Sequence, residues 1–198
     1  DPQQLNPVIL LGELTNQKLR RKYHVADEYD YRKNSIYKTY LACDAVSDEV
    51  LLRNHYRCNK EIIGFNNKKY YNSKLQIQSK SREPHPLVYV DVKSNQSQIK
   101  NTSPAEVDEV VAYAQQNPNK SIAVITPFVN QKTLIEQAIK ENELENLVCG
   151  TVHAFQGDEK DVVLFSTALS DRTNTGTYQW LKNNKELINV ATSRAKDK

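Results

Sequence analysis

The stretch GTVHAFQGDEKDVVLFS, Gly150 to Ser166, sets a polar loop directly against an apolar run. Val162, Val163, Leu164 and Phe165 show no polar alternation, the pattern of a strand covered on both faces of a sheet. Loops at the ends of such strands are where open α/β sheets bind ligands. Gln156, Gly157 and Glu159 have the composition of a ligand loop and, equally, that of a connecting turn, so the choice between them falls to the rest of the chain.

Working outward from this stretch, strands and helices alternate. LVYVDV, Leu87 to Val92, reads as a strand, and SPAEVDEVVAYAQ carries a full set of helix-start signals. Ser103 is placed to cap, Pro104 occupies the first helical position and Glu106 completes a capping box. Val107, Val110, Val111 and Ala114 then form one apolar face at helical spacing. SIAVITPF reads as a buried strand, and QKTLIEQAIKEN as a helix with Leu134, Ile135 and Ala138 inward. LVCGTV and DVVLFS add strands, and a final helix runs through KELINVATSRAK. Upstream, SIYKTYLA, Ser35 to Ala42, predicts a short helix with Ile36, Tyr40 and Leu41 inward, and Val50 to Leu52 a brief strand. The expected class is α/β, with a largely parallel, doubly wound sheet flanked by helices.

Composition sets the outer bounds. The chain has 198 residues, 38% of them hydrophobic, enough for one good core or one domain and part of another. Its mean hydropathy of -0.70, with no apolar run of membrane-spanning length, excludes a transmembrane helix. A formal charge of +3 permits a nucleic-acid partner without requiring one. Cys43, Cys58 and Cys149 lie far apart with no metal-ligand spacing, so no metal residues are assigned and a reducing, cytoplasmic setting is expected. The chain contains no methionine and opens on Asp1, so a fragment of a longer polypeptide is expected.

Two arginines stand out. Leu187, Val190 and Ala191 mark the inward face of the last helix, and Arg194, seven residues after Leu187, falls on the same face. There it either snorkels to water from a frayed end or meets an anion, since a buried unpaired charge is expensive. Arg57 follows Tyr56 just before the apolar patch Ile62, Ile63 and Phe65. The pair is either a surface arginine beside a half-buried tyrosine or a base-stacking and phosphate-meeting couple.

Five stretches taken in order, DPQQLNPV, HYRCNKEIIGFNNKKYYNSKL, ITPFVNQ, GTVHAFQGDEKDVVLFS and NVATSRAK, resemble successive motifs of superfamily 1 helicases. The similarity is to the branch that includes the nonsense-mediated-decay helicase and senataxin. It implies a RecA-like P-loop NTPase fold of two domains, with ATP between them and single-stranded DNA or RNA across their top. Residues 1–46 resemble the tail of the first RecA-like domain, entered within its third motif. Residues 47–198 resemble the second, truncated at its end. The missing first domain is an implied partner within the same polypeptide.

The resemblance also implies roles. Gln4 would sense the γ-phosphate, Tyr56 would pack on the adenine, Arg57 would reach the γ-phosphate and Arg194 would act as the arginine finger. Glu159 would hydrogen-bond the ribose, with Gln156 and Gly157 beside the nucleotide. Thr151 and His153 would lie nearer the nucleic acid, as would Thr126, Pro127 and Phe128. For His153 a purely structural role stays open, and for Phe128 packing in the core does. No GxxxxGK[ST] signature and no magnesium-holding acidic motif occur in these residues, so the magnesium ligands are expected upstream and the chain alone is expected to be inactive. Cys58 and Asn59 stand where relatives often carry a small or apolar residue and a histidine. The implied activity is an ATP-dependent helicase or translocase, 5′ to 3′. The competing readings are a non-catalytic nucleic-acid-binding module on a degenerate helicase fold, and a different P-loop enzyme.

Overall fold

The computed structural model describes residues 1, 3–5, 8–44, 46–81, 83–93, 99–155 and 157–198, in two compact units, 1–52 and 53–198. In the first unit α1 (Glu13–Tyr23) leads through a 3-10 turn at Asp27–Tyr29 to α2 (Ile36–Cys43). The hydroxyl of Ser35 accepts from the Lys38 N–H and caps α2. This unit is held by a polar clasp. Asp30, almost fully buried, accepts from Arg20 Nη1 at 2.8 Å and from Asn16 Nδ2 at 2.9 Å, and Arg20 also pairs with Asp27. Among its described residues only Asn16 and Asp30 are buried. The expectation that Ile36, Tyr40 and Leu41 face inward therefore fails. The helix forms, but within 1–52 it packs on the 3-10 turn and no apolar layer covers those side chains.

The second unit runs β1 (Asn54–His55), α3 (Lys60–Tyr70), β2 (Gln76–Ile77), α4 (Pro104–Gln116), β3 (Ile122–Thr126), α5 (Val129–Glu141), β4 (Leu147–Thr151), β5 (Val162–Phe165), α6 (Thr175–Asn183) and α7 (Lys185–Thr192). β1 and β2 pair in parallel. In the main sheet β3 lies between β4 and β5, parallel to both, so this is an α/β fold of parallel sheets flanked by helices. Every residue of β3 is buried, which is why SIAVIT has no polar alternation. Two predicted strands are absent. Residues 50–52 and 87–92 are mostly exposed, and neither described sheet offers them a neighbour; β propensity without a ladder partner does not make a strand.

The core gathers Val107, Val110 and Ala114 from α4, Ile122 and Val124 from β3, Ile135 from α5, Leu147 and Val162. Each fully buried branched aliphatic contributes about 1.5–3 kcal/mol. The start of α4 departs from the expected capping box. Ser103 Oγ accepts from the Glu106 N–H as predicted, but the Ser103 N–H donates to Gln131 Oε1 at 2.8 Å, and Glu106 looks elsewhere. Its carboxylate accepts from Ser166 Oγ at 2.6 Å and from the Ala168 N–H at 3.1 Å. Ala168 is buried, so its amide needs a partner away from water, a demand that a local box would leave unmet.

Sequence reading missed α6, a nine-residue stretch TGTYQWLKN that contains Gly176, although Asn174 caps it by accepting from the Thr177 N–H. The predicted final helix is shorter than expected, ending at Thr192. Asn66 binds α3 to α7, its Nδ2 lying 2.8 Å from Asn189 Oδ1 and 2.9 Å from Thr192 Oγ1. Cys58, Ile62, Ile63 and Ala195 form a second buried cluster. No helix among the described residues is long and apolar enough to cross a membrane.

Gln131 is fully buried, and its amide also donates to Ser166 Oγ. Replacing it by alanine strands the Ser103 N–H. We expect a loss of about 2 kcal/mol, measured as a lower urea midpoint at unchanged slope; an unchanged midpoint would show that the network carries no stability.

Candidate functional site

Parallel pairing of β3 with both neighbours dictates the site. β4 and β5 point the same way, so the chain between them, residues 152–161, travels back from the carboxyl edge of the sheet to its amino edge. At about 3.3 Å per residue over the four residues of β5, that is about 13 Å. Thr151 and His153 lie at one end of this connector and Glu159 at the other.

At the Glu159 end, two helix termini meet. Asn59 caps α3 by accepting from the Glu61 N–H at 3.0 Å, and its own N–H donates to Lys196 O at 2.7 Å. Arg57 Nη1 and Cys58 Sγ both donate to Ser193 O, at 3.2 and 3.3 Å, just past the end of α7. The last carbonyls of a helix are unsatisfied and partially negative, so they attract these donors. The departures noted at Cys58 and Asn59 thus have local reasons: a small thiol fills a fully buried slot, and an amide makes the cap. Burial pushes the Cys58 thiol up to about 11.

Arg194 lies in the turn beyond α7 and is only 4% exposed. Its Nε donates to Val190 O at 3.1 Å and its Nη2 to Ser193 Oγ at 3.2 Å, and it forms no ion pair with any described carboxylate. The snorkelling alternative is excluded, because Ala195 and Lys196 are pinned alongside Lys160 and draw the turn inward. Burial, and next the charge of Arg57, push the Arg194 pKa down. Two guanidiniums therefore share one corner, and among the described residues the carboxylate beside them is Glu159, with Arg57 Nε at 2.7 Å and Lys196 Nζ at 3.3 Å. The hydrogen bond from Arg57, reinforced by Lys196, holds the Glu159 carboxyl below the usual range. Tyr56 presents a 68% exposed ring next door. Gly157 has φ 99°, a conformation open mainly to glycine.

Arg57, Glu159 and Arg194 are thus brought together, with Tyr56 and Gly157 adjoining in the chain. Gln156 lies outside the described residues. Gln4 belongs to the first unit, where its Nε2 donates to Asp1 Oδ2 at 3.1 Å. At the carboxyl edge, Thr126 is fully buried with its hydroxyl accepting from the Phe128 N–H at 3.3 Å, so that hydroxyl faces inward. Phe128 is 7% exposed and packs against Trp180, ring centroids 6.1 Å apart. Thr151 pairs in register with Thr126, and His153 is exposed in the turn Val152–Phe155. A cleft of about 480 Å³ opens here, lined by Pro127 and Phe128. Sequence reading missed three contributors. Lys196 was signalled only by its place two residues after Arg194, while His55 and Trp180 carried no local signal.

Residues 32–198 match the family described as AAA domain. The chain belongs to that family. It is 26% identical over 234 residues to mouse (Mus musculus) RNA helicase Mov10l1, covering 99% of this chain and 19% of the relative. To the uncharacterized ATP-dependent helicase MG140 of Mycoplasma genitalium it is 27% identical over 170 residues, covering 75% and 15%. To the human (Homo sapiens) 3'-5' exoribonuclease HELZ2 it is 25% identical over 235 residues, covering 100% and 8%. The chain spans less than a fifth of each of these relatives. Family and relatives together identify a superfamily 1 helicase domain of the senataxin-like branch, with a RecA-like fold.

His55 links this corner to pH. Its Nε2 accepts from the Cys58 N–H at 3.0 Å, and burial, with the nearby Arg57 and Arg194 charges, pushes its pKa below the ordinary 6.5. The unfolded chain then binds the proton more readily, so the stabilisation is complete above 6.5 and declines as pH falls below it. His55→Gln keeps an acceptor and removes the titration. Urea midpoints above and below that pH should show a steeper acid-side decline in the parent than in the variant; equal slopes would contradict it.

Proposed function

We propose that this chain is part of a longer ATP-dependent helicase or translocase that moves along single-stranded nucleic acid in the 5′-to-3′ direction. The observation that carries this reading is the buried Arg194 guanidinium, which has Arg57 for a neighbour and no carboxylate of its own. Such a corner is electrostatically incomplete, and a polyphosphate completes it.

In this reading Arg57 and Arg194 hold the terminal phosphates, Arg194 stabilising the charge that develops as the phosphoryl group leaves. Tyr56 packs on the adenine. Arg57 turns from Glu159 to phosphate, which frees the Glu159 carboxylate to accept from the ribose hydroxyls, while Gly157 lets the backbone approach and Gln156 addresses the nucleotide. Residues 1–46 form the tail of the first RecA-like domain and 47–198 the second, with Gln4 reporting the phosphate from the first. ATP supplies the phosphoryl group, and magnesium, held by ligands elsewhere in the polypeptide, would supply the charge neutralisation that phosphoryl transfer needs. Thr151, His153, Pro127 and Phe128, with the backbone at Thr126, address the strand at the opposite edge. The connector between them gives the two ligands a shared element. Two of the relatives named above are named for RNA chemistry, which makes RNA the first strand to try.

The test is ATP hydrolysis by the full-length protein with and without single-stranded RNA or DNA. Arg194→Ala should lower strand-stimulated turnover by about a thousand-fold with strand affinity retained. Strand binding without turnover in the parent would overturn the motor in favour of a binding module, and undiminished turnover in the variant would remove Arg194 from the chemistry.

A further inference from the structure

The cleft at the carboxyl edge lies at a switch in strand order. From β3 the chain turns one way, through α5 to β4, whereas β5 lies on the other side of β3 and leads on to α6. Open α/β sheets bind ligands in the crevice between such diverging connections. One wall is the segment after β3, with Phe128 and Asn130, and the other is the start of α6, with Asn174, Thr177 and Trp180. Lys100 closes the rim.

The chemistry of these walls is selective. Trp180 is the chain's one tryptophan, and its ring is backed by Phe128 at an interplanar angle of 36° while remaining 44% exposed. A large ring that is rigidly supported on one side and open on the other is a stacking surface. Lys100 pairs with no carboxylate among the described residues, and its carbonyl is anchored by Asn130 Nδ2 at 3.0 Å, which fixes the lysine's backbone at the rim. Asn174 spends its Oδ1 on the Thr177 N–H and hydroxyl, which leaves its amide N–H groups to donate outward. No Asp or Glu among the described residues lines the cleft. One aromatic platform, one cation, outward amide donors and no acid suit a planar base carrying a phosphate, and about 480 Å³ is within the range of pockets that hold molecules of that size.

We propose that this cleft seats one nucleotide of the single strand, its base stacked on Trp180 and its adjoining phosphate held by Lys100 and Asn174. The assignment rests on the single-strand reading above and adds a base-stacking residue to it. Stacking tolerates any base, so the contact grips without selecting sequence.

Because Trp180 is the one tryptophan, its emission reports the site directly. The 198-residue chain is titrated with a labelled oligo(U) strand, following strand anisotropy for binding and Trp180 fluorescence for stacking. The expected result is binding accompanied by quenching of Trp180. Trp180→Ala should weaken the strand by about ten-fold and Trp180→Phe should restore much of that, and Lys100→Ala should lower the slope of log affinity against log salt by about one. Circular dichroism checks that each variant is folded, and Trp180→Phe serves should the alanine variant not fold. Binding with unchanged Trp180 emission and unaltered affinity in the folded variants overturns the proposal while leaving the single-strand reading standing. Quenching by free uridine monophosphate as strong as by the strand overturns it in favour of a mononucleotide pocket. No strand binding by this chain overturns the proposal that the cleft seats a nucleotide, while strand binding by the full-length protein decides separately the reading it rests on.

Discussion

The parallel pairing of β3 on both sides is the constraint from which the rest follows. A strand buried at every residue and flanked by two parallel neighbours admits no hairpin return, so the chain leaving β4 must recross the sheet before β5 begins. In most βαβ units a helix makes that crossing. Here a short 3-10 turn and an irregular stretch make it, which leaves polar side chains exposed at both ends of the route. Gly150 shows how tightly the route starts: a Cβ there would come within 2.8 Å of the Phe155 ring.

At the amino edge, the fold concentrates charge that its own residues do not balance. Arg57 and Lys196 converge on Glu159, Arg194 beside them pairs with no described carboxylate, and both arginines also donate to carbonyls at the end of α7, Arg57 to Ser193 O and Arg194 to Val190 O. Such carbonyls orient a guanidinium without neutralising it, so direction is fixed while charge stays available. The Asn66, Asn189 and Thr192 hydrogen bonds that dock α7 on α3 set the separation of the two arginines.

What the sequence disclosed follows the same physics. Elements whose evidence is local were legible: the Ser103 and Pro104 start of α4 and the unbroken apolar runs of β3 and β5. Elements that depend on distant partners were not. Glu106 carries the right spacing for a capping box, yet its partners are Ser166 and Ala168, some sixty positions away. LVYV has strand propensity and no neighbour to pair with, and the Ile36 face of α2 has no apolar layer within its unit. The seven-residue spacing left Arg194 open between an anion contact and snorkelling at a frayed end; the turn after α7, and not the helix face, is what holds it inward. One wall of the carboxyl-edge cleft comes from α6, where a glycine in a stretch of only nine residues hid the helix.

The unbalanced guanidinium at Arg194 has a thermodynamic corollary. A folded state that holds a desolvated cation is less stable than its packing alone would make it, and an anion bound at that corner returns the difference by mass action. A single-site ligand at a hundred times its dissociation constant raises unfolding free energy by about 2.7 kcal/mol. The melting temperature of the fold thus becomes a reporter of occupancy at this corner, readable without turnover and in the absence of any strand.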